Sequence, residues 1–318
     1  MKGKLLYDIT DCVGIKDCMD RNGVVGITNI LTDNEIENAI NDIENIIKSN
    51  YGKDFSLKDS STYGSINKDF NGHGVIGKLP LFSKQLMETR LNPNIRKAFE
   101  IVYGDKVGQL LCQYDHASFM RSTIGTNYED LSQFRTSFSK PGLHLDMDAP
   151  SYFEKGFEKI VLSCLNKLNY ENERDFINEN NFKHIALGKR YHGVLNLLDN
   201  NELDGHNKLE NWFLIAKQHL GKPDPNGRYI FKEQNSCDEI FFDTTRITCP
   251  SGTLIIFDSC LPHGTKPNYS QNNRLVEFIS YIPKYLFNTK TYADRNKKLK
   301  KIFNEINFQL SPENEKYI

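Results

Sequence analysis

From about Val107 to Pro283 the chain breaks into short stretches rich in β-branched and aromatic residues, each ended by turn residues. "GQLLCQYDHASF", "SQFRTSFS", "LHLDMD", "YHGVLNLLD", "RITCPSGTLIIFDS" and "NRLVEFISYIP" are examples. Segments of this length and composition, separated by turns, have the texture of an antiparallel barrel or jelly roll. Two polar, helix-compatible stretches interrupt the series, Phe153–Asn181 and Leu209–Leu220.

Upstream the pattern changes to helices. "LTDNEIENAINDIENIIKSN" places Ile36, Ile40, Ile43 and Ile47 at three- and four-residue spacing, and Thr32 with Glu35 predicts a capping box at its start. The preceding "DRNGVVGITNIL" predicts a short strand leading into that cap. "NPNIRKAFEIVYG" predicts a second helix closed by Gly104. Near the end, "YADRNKKLKKIFNEINF" predicts a further amphipathic helix whose basic run reads as a solvated face. No repeat and no long Pro/Gly/Ser linker divides the 318 residues, so one domain is expected. Its parts would be a helical portion over about 20–105, a core over about 107–285 and a C-terminal helix over about 288–310.

A net charge of −1 gives no bulk pull toward nucleic acid or an acidic membrane. No window approaches the ~18 apolar residues a bilayer span requires. In "MKGKLLYDITDCVG" Asp8 and Asp11 interrupt any signal-peptide core, and a cytoplasmic location is the expectation. Seven cysteines (Cys12, Cys18, Cys112, Cys164, Cys237, Cys249 and Cys260) are odd in number and scattered, without a C-x-x-C pair. That argues against a disulfide framework or a closed thiolate zinc site, and reduced thiols suit a compartment where ferrous iron survives.

The chemistry concentrates in two places. In "KPGLHLDMDAP" His144 and Asp146 stand two apart in an alternating run, so on a strand both leave the same face. An imidazole beside a carboxylate is half of a metal site, although H-x-D alone is a weak motif. In "SGTLIIFDSCLPHGTKPNYSQNNRLVEFISYIP" His263 follows an apolar strand and a turn, and Arg274 opens the next strand. Two histidines and one carboxylate on a barrel face form the triad that holds Fe(II) with coordination positions left open. An arginine on the neighbouring strand suits the distal carboxylate of 2-oxoglutarate, which a planar guanidinium clamps through two parallel hydrogen bonds. Thr265, two residues after His263, shares its strand face and offers a hydroxyl. Core histidines and an ordinary surface ion pair are the alternative readings of these residues.

These residues resemble the phytanoyl-CoA dioxygenase-like branch of the Fe(II)/2-oxoglutarate oxygenases. "HLD" at 144–146, "PHGTKPNYSQNNR" at 262–274 and the trailing "LVEFISYIP" carry the likeness. "MDRNGVVGITNILTDNEIENAINDIENI" and "YHGVLNLLDNNELDG" extend it, so that matches recur from about Met19 to Pro283. The resemblance implies an α+β fold with a double-stranded β-helix (jelly-roll, cupin-like) core carrying N-terminal, inserted and C-terminal helices. It implies His144, Asp146 and His263 as catalytic iron ligands, and Arg274 with Thr265 as the 2-oxoglutarate anchor. Ser137 is expected near the co-substrate; Gln133, Arg135 and Phe278 are expected near the substrate. The first three lie on "QFRTSFSKPG", which an edge strand facing water would explain equally well, and core packing would account for Phe278.

The implied activity is hydroxylation of an unactivated C–H bond of a small molecule, using Fe(II), 2-oxoglutarate and O2 and releasing succinate and CO2. The carboxylate at Asp146 favours hydroxylation, since halogenating relatives leave that position small. The chain departs from the family after "NNELDG", where "HNKLENWFLIAKQHLGKPDPNGRY" replaces a short segment, and substrate choice is expected within 205–230. A catalytically silent binding or regulatory protein on the same fold, and a zinc hydrolase using the same ligands, are the competing readings.

Overall fold

A computed structural model describes residues 4–66, 74–104, 108–122, 190–199, 247–259, 261, 263–264, 272–284 and 287–318, with the strand pairs 144–145, 222–223 and 229–230. The "SQFRTSFS" stretch and both interrupting stretches, 153–181 and 209–220, lie outside the described residues.

The chain opens with β1 (Leu6–Asp8), α1 (Cys12–Asn22) and β2 (Val24–Thr28). Gly23 ends α1 in the left-handed region at φ 69°, where its N–H donates to the Met19 carbonyl. A residue without Cβ takes that conformation at little cost, and the chain turns directly into β2. In α2 (Asp33–Asn50) the Thr32 hydroxyl accepts from the Glu35 N–H while the Glu35 carboxylate accepts from the Thr32 N–H, completing the predicted box. Ile36, Ile43 and Ile47 are buried and Ile40 packs partly buried beside them. Each buried isoleucine contributes roughly 1.5–3 kcal/mol. α3 (Lys84–Arg90) and α4 (Pro93–Tyr103) follow, and Gly104 caps α4 as its position predicts. The Asn92 side chain caps α4 by accepting from the Asn94 N–H, and it donates to Glu35 at 2.8 Å, tying the starts of two helices together.

The remaining strands are β3 (Leu110–Cys112), β4 (Ala117–Met120), β5 (His144–Leu145), β6 (Tyr191–Asn196), β7 (Lys222–Pro223), β8 (Tyr229–Ile230), β9 (Thr253–Asp258) and β10 (Arg274–Pro283), before α5 (Thr289–Glu305). Seven strands form one sheet in the order β1-β2-β9-β6-β10-β3, with β4 also pairing β10; β5, β8 and β7 form a second, three-stranded sheet. Apart from the parallel β1–β2 pair, every neighbour is antiparallel. The large sheet thus takes strands from before residue 107, since β2 pairs β9 with Val24 opposite Phe257. The single stretch read as "GQLLCQYDHASF" supplies two strands along one edge of β10.

Alternation sorts the sheet into two faces. Val25, Ile27, Leu195, Leu254, Ile256, Leu275, Ile279 and Tyr281 join the helical residues in the main core, which also holds Leu299 and Phe303 of α5. Phe99 of α4 presses so close to β6 that a Cβ on Gly193 would stand 2.9 Å from its ring and 2.4 Å from the Ile279 carbonyl oxygen. Arg90 and Glu277 meet within this core, both fully buried, at 2.7 Å. Arg90 also donates to the carbonyls of Leu81 and Asp115, and its pairing with Glu277 ties α3 to β10. No helix among the described residues is long and apolar enough to cross a membrane.

Candidate active site

The opposite face of the large sheet carries a separate apolar cluster. It comprises Val24 of β2, Val194 of β6, Ile255 and Phe257 of β9, Val276 of β10, and Ile247 and Cys249 just before β9. The parity that sends these residues to this face sends Arg274, Phe278 and Ser280 there from β10, and His192 from β6.

His263 reaches this face from the turn after β9. The Leu261 N–H donates to the Asp258 carbonyl, and the chain folds back so that the His263 ring lies 4.3 Å from the Phe257 ring with only 6% of the residue exposed. Its Nδ1 stands 2.8 Å from the Leu261 carbonyl oxygen. A carbonyl only accepts, so Nδ1 carries the proton, and in a neutral ring the lone pair is on Nε2. A backbone carbonyl that fixes the tautomer in this way is the usual support for a metal-binding imidazole.

Arg274 opens β10 directly opposite Met120 of β4. Its Nη1 donates to the Met120 thioether at 3.2 Å, and its buried Nε has no hydrogen-bond partner. No carboxylate among the described residues pairs with it. Burial pulls its pKa down to about 10, against the opposing pull of the Cys249 thiol, so it stays protonated at neutral pH. Burial pushes that thiol up to about 12, which keeps it neutral. A thioether is a weak acceptor, and the partly buried guanidinium, with its Nε shielded from water, has no anion among the described residues. The arrangement suits an anionic ligand.

Phe278 shares the Arg274 face and packs partly buried against the apolar cluster. His144 lies on β5, as its alternation predicts, opposite Ile230 of β8. Asp146, Thr265, Ser137, Gln133 and Arg135 lie outside the described residues. Two of the three expected metal ligands therefore contribute no described side chain, and among the described residues no three His, Cys, Asp or Glu side chains gather into a metal-binding group. The site residues that are described fit the expected groups: an imidazole of the right tautomer, and a guanidinium with no carboxylate partner among the described residues.

No role was read for Met120, which lies opposite Arg274, for Cys249 in the apolar cluster, or for His192, whose Nδ1 is 3.3 Å from the Ser280 hydroxyl and whose ring stacks on Phe257 at 5.9 Å. Only strand register brings these residues to the site, and a single sequence carries no direct signal of register.

No family model matches the chain. It is 29% identical over 295 residues to a Dictyostelium discoideum protein named putative phytanoyl-CoA dioxygenase, covering 89% of this chain and 79% of that one. The resemblance seen in the motifs is thereby borne out along most of the sequence. Among solved structures, the GlcNAc Inducible Gene 2 protein of Candida albicans aligns with a TM-score of 0.58 at 15% identity, covering 98% of this chain and 74% of that one, a likeness of fold. The epimerase SnoN, in complex with Fe3+, alpha ketoglutarate and a nogalamycin compound, aligns with a TM-score of 0.48 at 12% identity over 86% of this chain and 84% of its own.

Proposed function

We propose that this chain, a relative of the phytanoyl-CoA dioxygenase-like proteins, is an Fe(II)/2-oxoglutarate-dependent dioxygenase that hydroxylates a C–H bond of a small molecule. The reading takes the whole chain as one catalytic domain, with the two sheets as the walls of a double-stranded β-helix. The observation that carries it is Arg274, a guanidinium with a buried Nε, on the face that also receives His263 and without an acidic partner among the described residues.

In this reading His144, Asp146 and His263 hold the iron, and Arg274 with Thr265 holds the distal carboxylate of 2-oxoglutarate. Iron and 2-oxoglutarate together supply oxidation by O2, with succinate and CO2 as co-products. The protein's own residues position and seal. The Leu261 carbonyl holds His263 in one tautomer and one ring orientation. Arg274 is rigid because it starts a strand paired on both sides, to β4 at its own position and to β6 from Val276 onward. Phe257, Val194 and Val276 keep that face dry, which strengthens every charge interaction made there.

Anaerobic titration of the protein with Fe(II) and 2-oxoglutarate is expected to give a visible charge-transfer band, and Asp146→Ala is expected to remove it together with succinate release. A zinc hydrolase would give no such band. A silent binding protein would give the band without releasing succinate in the presence of any small-metabolite substrate.

A further inference from the structure

Asn273 stands immediately before Arg274, and its side-chain amide joins three stretches of chain. The amide nitrogen donates to the Leu57 carbonyl at 2.9 Å and to the Tyr63 hydroxyl, and the amide oxygen accepts from the Ser122 N–H at 2.8 Å. Turned the other way, the amide would set donor against donor at Ser122, so its partners fix its orientation. Residues 57–63 of the helical portion, the residues after β4 and the start of β10 thus meet at one side chain.

Tyr63 braces the same point. It is 1% exposed, and its hydroxyl donates to the Leu57 carbonyl at 2.8 Å. Its ring meets Phe119 of β4 edge-on at 5.3 Å and lies 5.7 Å from Phe55. Burial raises the phenol above its ordinary pKa, so it keeps the proton it donates. Strand pairing holds Arg274 from its C-terminal side, to β4 at its own position and to β6 from Val276 onward. On its N-terminal side the Asn273 amide takes over. A planar guanidinium makes two parallel bonds to a carboxylate only while its backbone holds still to within about 0.5 Å. The amide, the phenol and the backbone groups are all uncharged, so they steady the arginine without competing for an anion.

We propose that Asn273 and Tyr63 are positioning residues for the co-substrate: through their hydrogen bonds, residues 57–63 hold Arg274 where its guanidinium meets the distal carboxylate of 2-oxoglutarate. The proposal rests on the oxygenase reading given above. Groups that support a ligand-binding side chain typically contribute about 10- to 100-fold, as the outer partners of metal ligands do.

The test measures dissociation constants for Fe(II) and for 2-oxoglutarate in the anaerobic protein, the second from the visible charge-transfer band. Asn273→Ala is expected to weaken 2-oxoglutarate about tenfold and Tyr63→Phe about threefold, with Fe(II) affinity unchanged in both. Tyr63→Phe keeps the ring packing and decides the matter if Asn273→Ala does not fold. Tyr103→Phe is the control, because its hydroxyl bonds the Tyr281 carbonyl at 2.9 Å and the Tyr191 N–H at 3.0 Å, at the far end of β10. It is expected to leave both constants at their wild-type values. Unchanged 2-oxoglutarate affinity in the two clamp variants, an equal loss of Fe(II) affinity, or an equal effect in Tyr103→Phe overturns the proposal and leaves the oxygenase reading standing. A wild type that binds no 2-oxoglutarate overturns both. Amide exchange of the ligand-free protein tests the clamp without any ligand. The Ser122 N–H, held by the Asn273 oxygen, is expected to exchange faster in Tyr63→Phe than in wild type, and an unchanged rate refutes the clamp.

Discussion

Arg274 is costly to keep in the ligand-free protein. Its Nε is cut off from water and from any acceptor, so an apolar replacement removes an uncompensated polar burial. Arg274→Leu is therefore expected to raise the melting point of the ligand-free protein, by an amount corresponding to about 1 kcal/mol, while abolishing the stabilisation that 2-oxoglutarate confers on the metal-loaded protein. Arg274→Lys keeps the charge but loses the planar fork, and its KM for 2-oxoglutarate is expected to rise about tenfold or more, the scale of one lost charge-assisted hydrogen bond. A ligand-free Arg274→Leu protein less stable than wild type would show that the guanidinium already has its anion. The placement of His263 just after one apolar strand and of Arg274 at the start of the next was legible in the sequence, because local pattern marks strand edges and turns. Met120 was not, because its relation to Arg274 exists only across the β4–β10 register.

At the scale of elements, helices were the more readable half. The Thr32–Glu35 box and the isoleucine period located α2, and Pro93 with Gly104 bracketed α4, because helical bonding is local. α1 went unread: "CVGIKDCMDRN" buries only Ile15, Cys18 and Met19, too sparse a stripe to declare itself. Glu35 serves its own helix and also accepts from Asn92 at the start of α4, so Glu35→Ala is expected to cost more than Thr32→Ala, for which about 1 kcal/mol is typical. Chemical denaturation of the two variants separates these costs.

Beneath the site strand, Arg90 and Glu277 join α3 to β10, and burial, only partly offset by Arg90, raises the Glu277 carboxyl to about 7. The folded protein thus holds a proton that the unfolded chain releases near 4.5. The contribution of this group to stability is full at acid pH and declines as pH rises from about 4.5 to 7. Urea midpoints across that range are expected to fall more steeply for wild type than for Glu277→Gln; equal slopes would show that Glu277 ionises as freely in the fold as outside it. Glu277→Ala, which strands Arg90, is expected to cost about 3–5 kcal/mol.

For the whole molecule, the strand texture of several segments could be read from the sequence, whereas the number and order of the strands could not. Nothing in "GVVGIT" says that it will lie against "TLIIFD", since each is merely a short apolar run. A close approach within the sheet is likewise invisible locally. Gly193 looks like a strand-weakening residue, yet it is where the Phe99 ring and the Ile279 carbonyl close on β6. Gly193→Ala is expected to force β6 away from β10 or Phe99 out of the core, with a loss of about 1–3 kcal/mol measurable by thermal unfolding.

β9 lies between β2 and β6, so one of its partners stands far upstream of it in the sequence and the other much nearer. Beyond its pairing with β1, the other edge of β2 stays open until β9 has emerged, and "TLIIFD" is an apolar, β-prone run with a single charge at its end. Contacts so distant along the chain close slowly, which leaves sticky intermediates exposed to one another. Refolding yield after dilution from denaturant should therefore fall steeply as protein concentration rises.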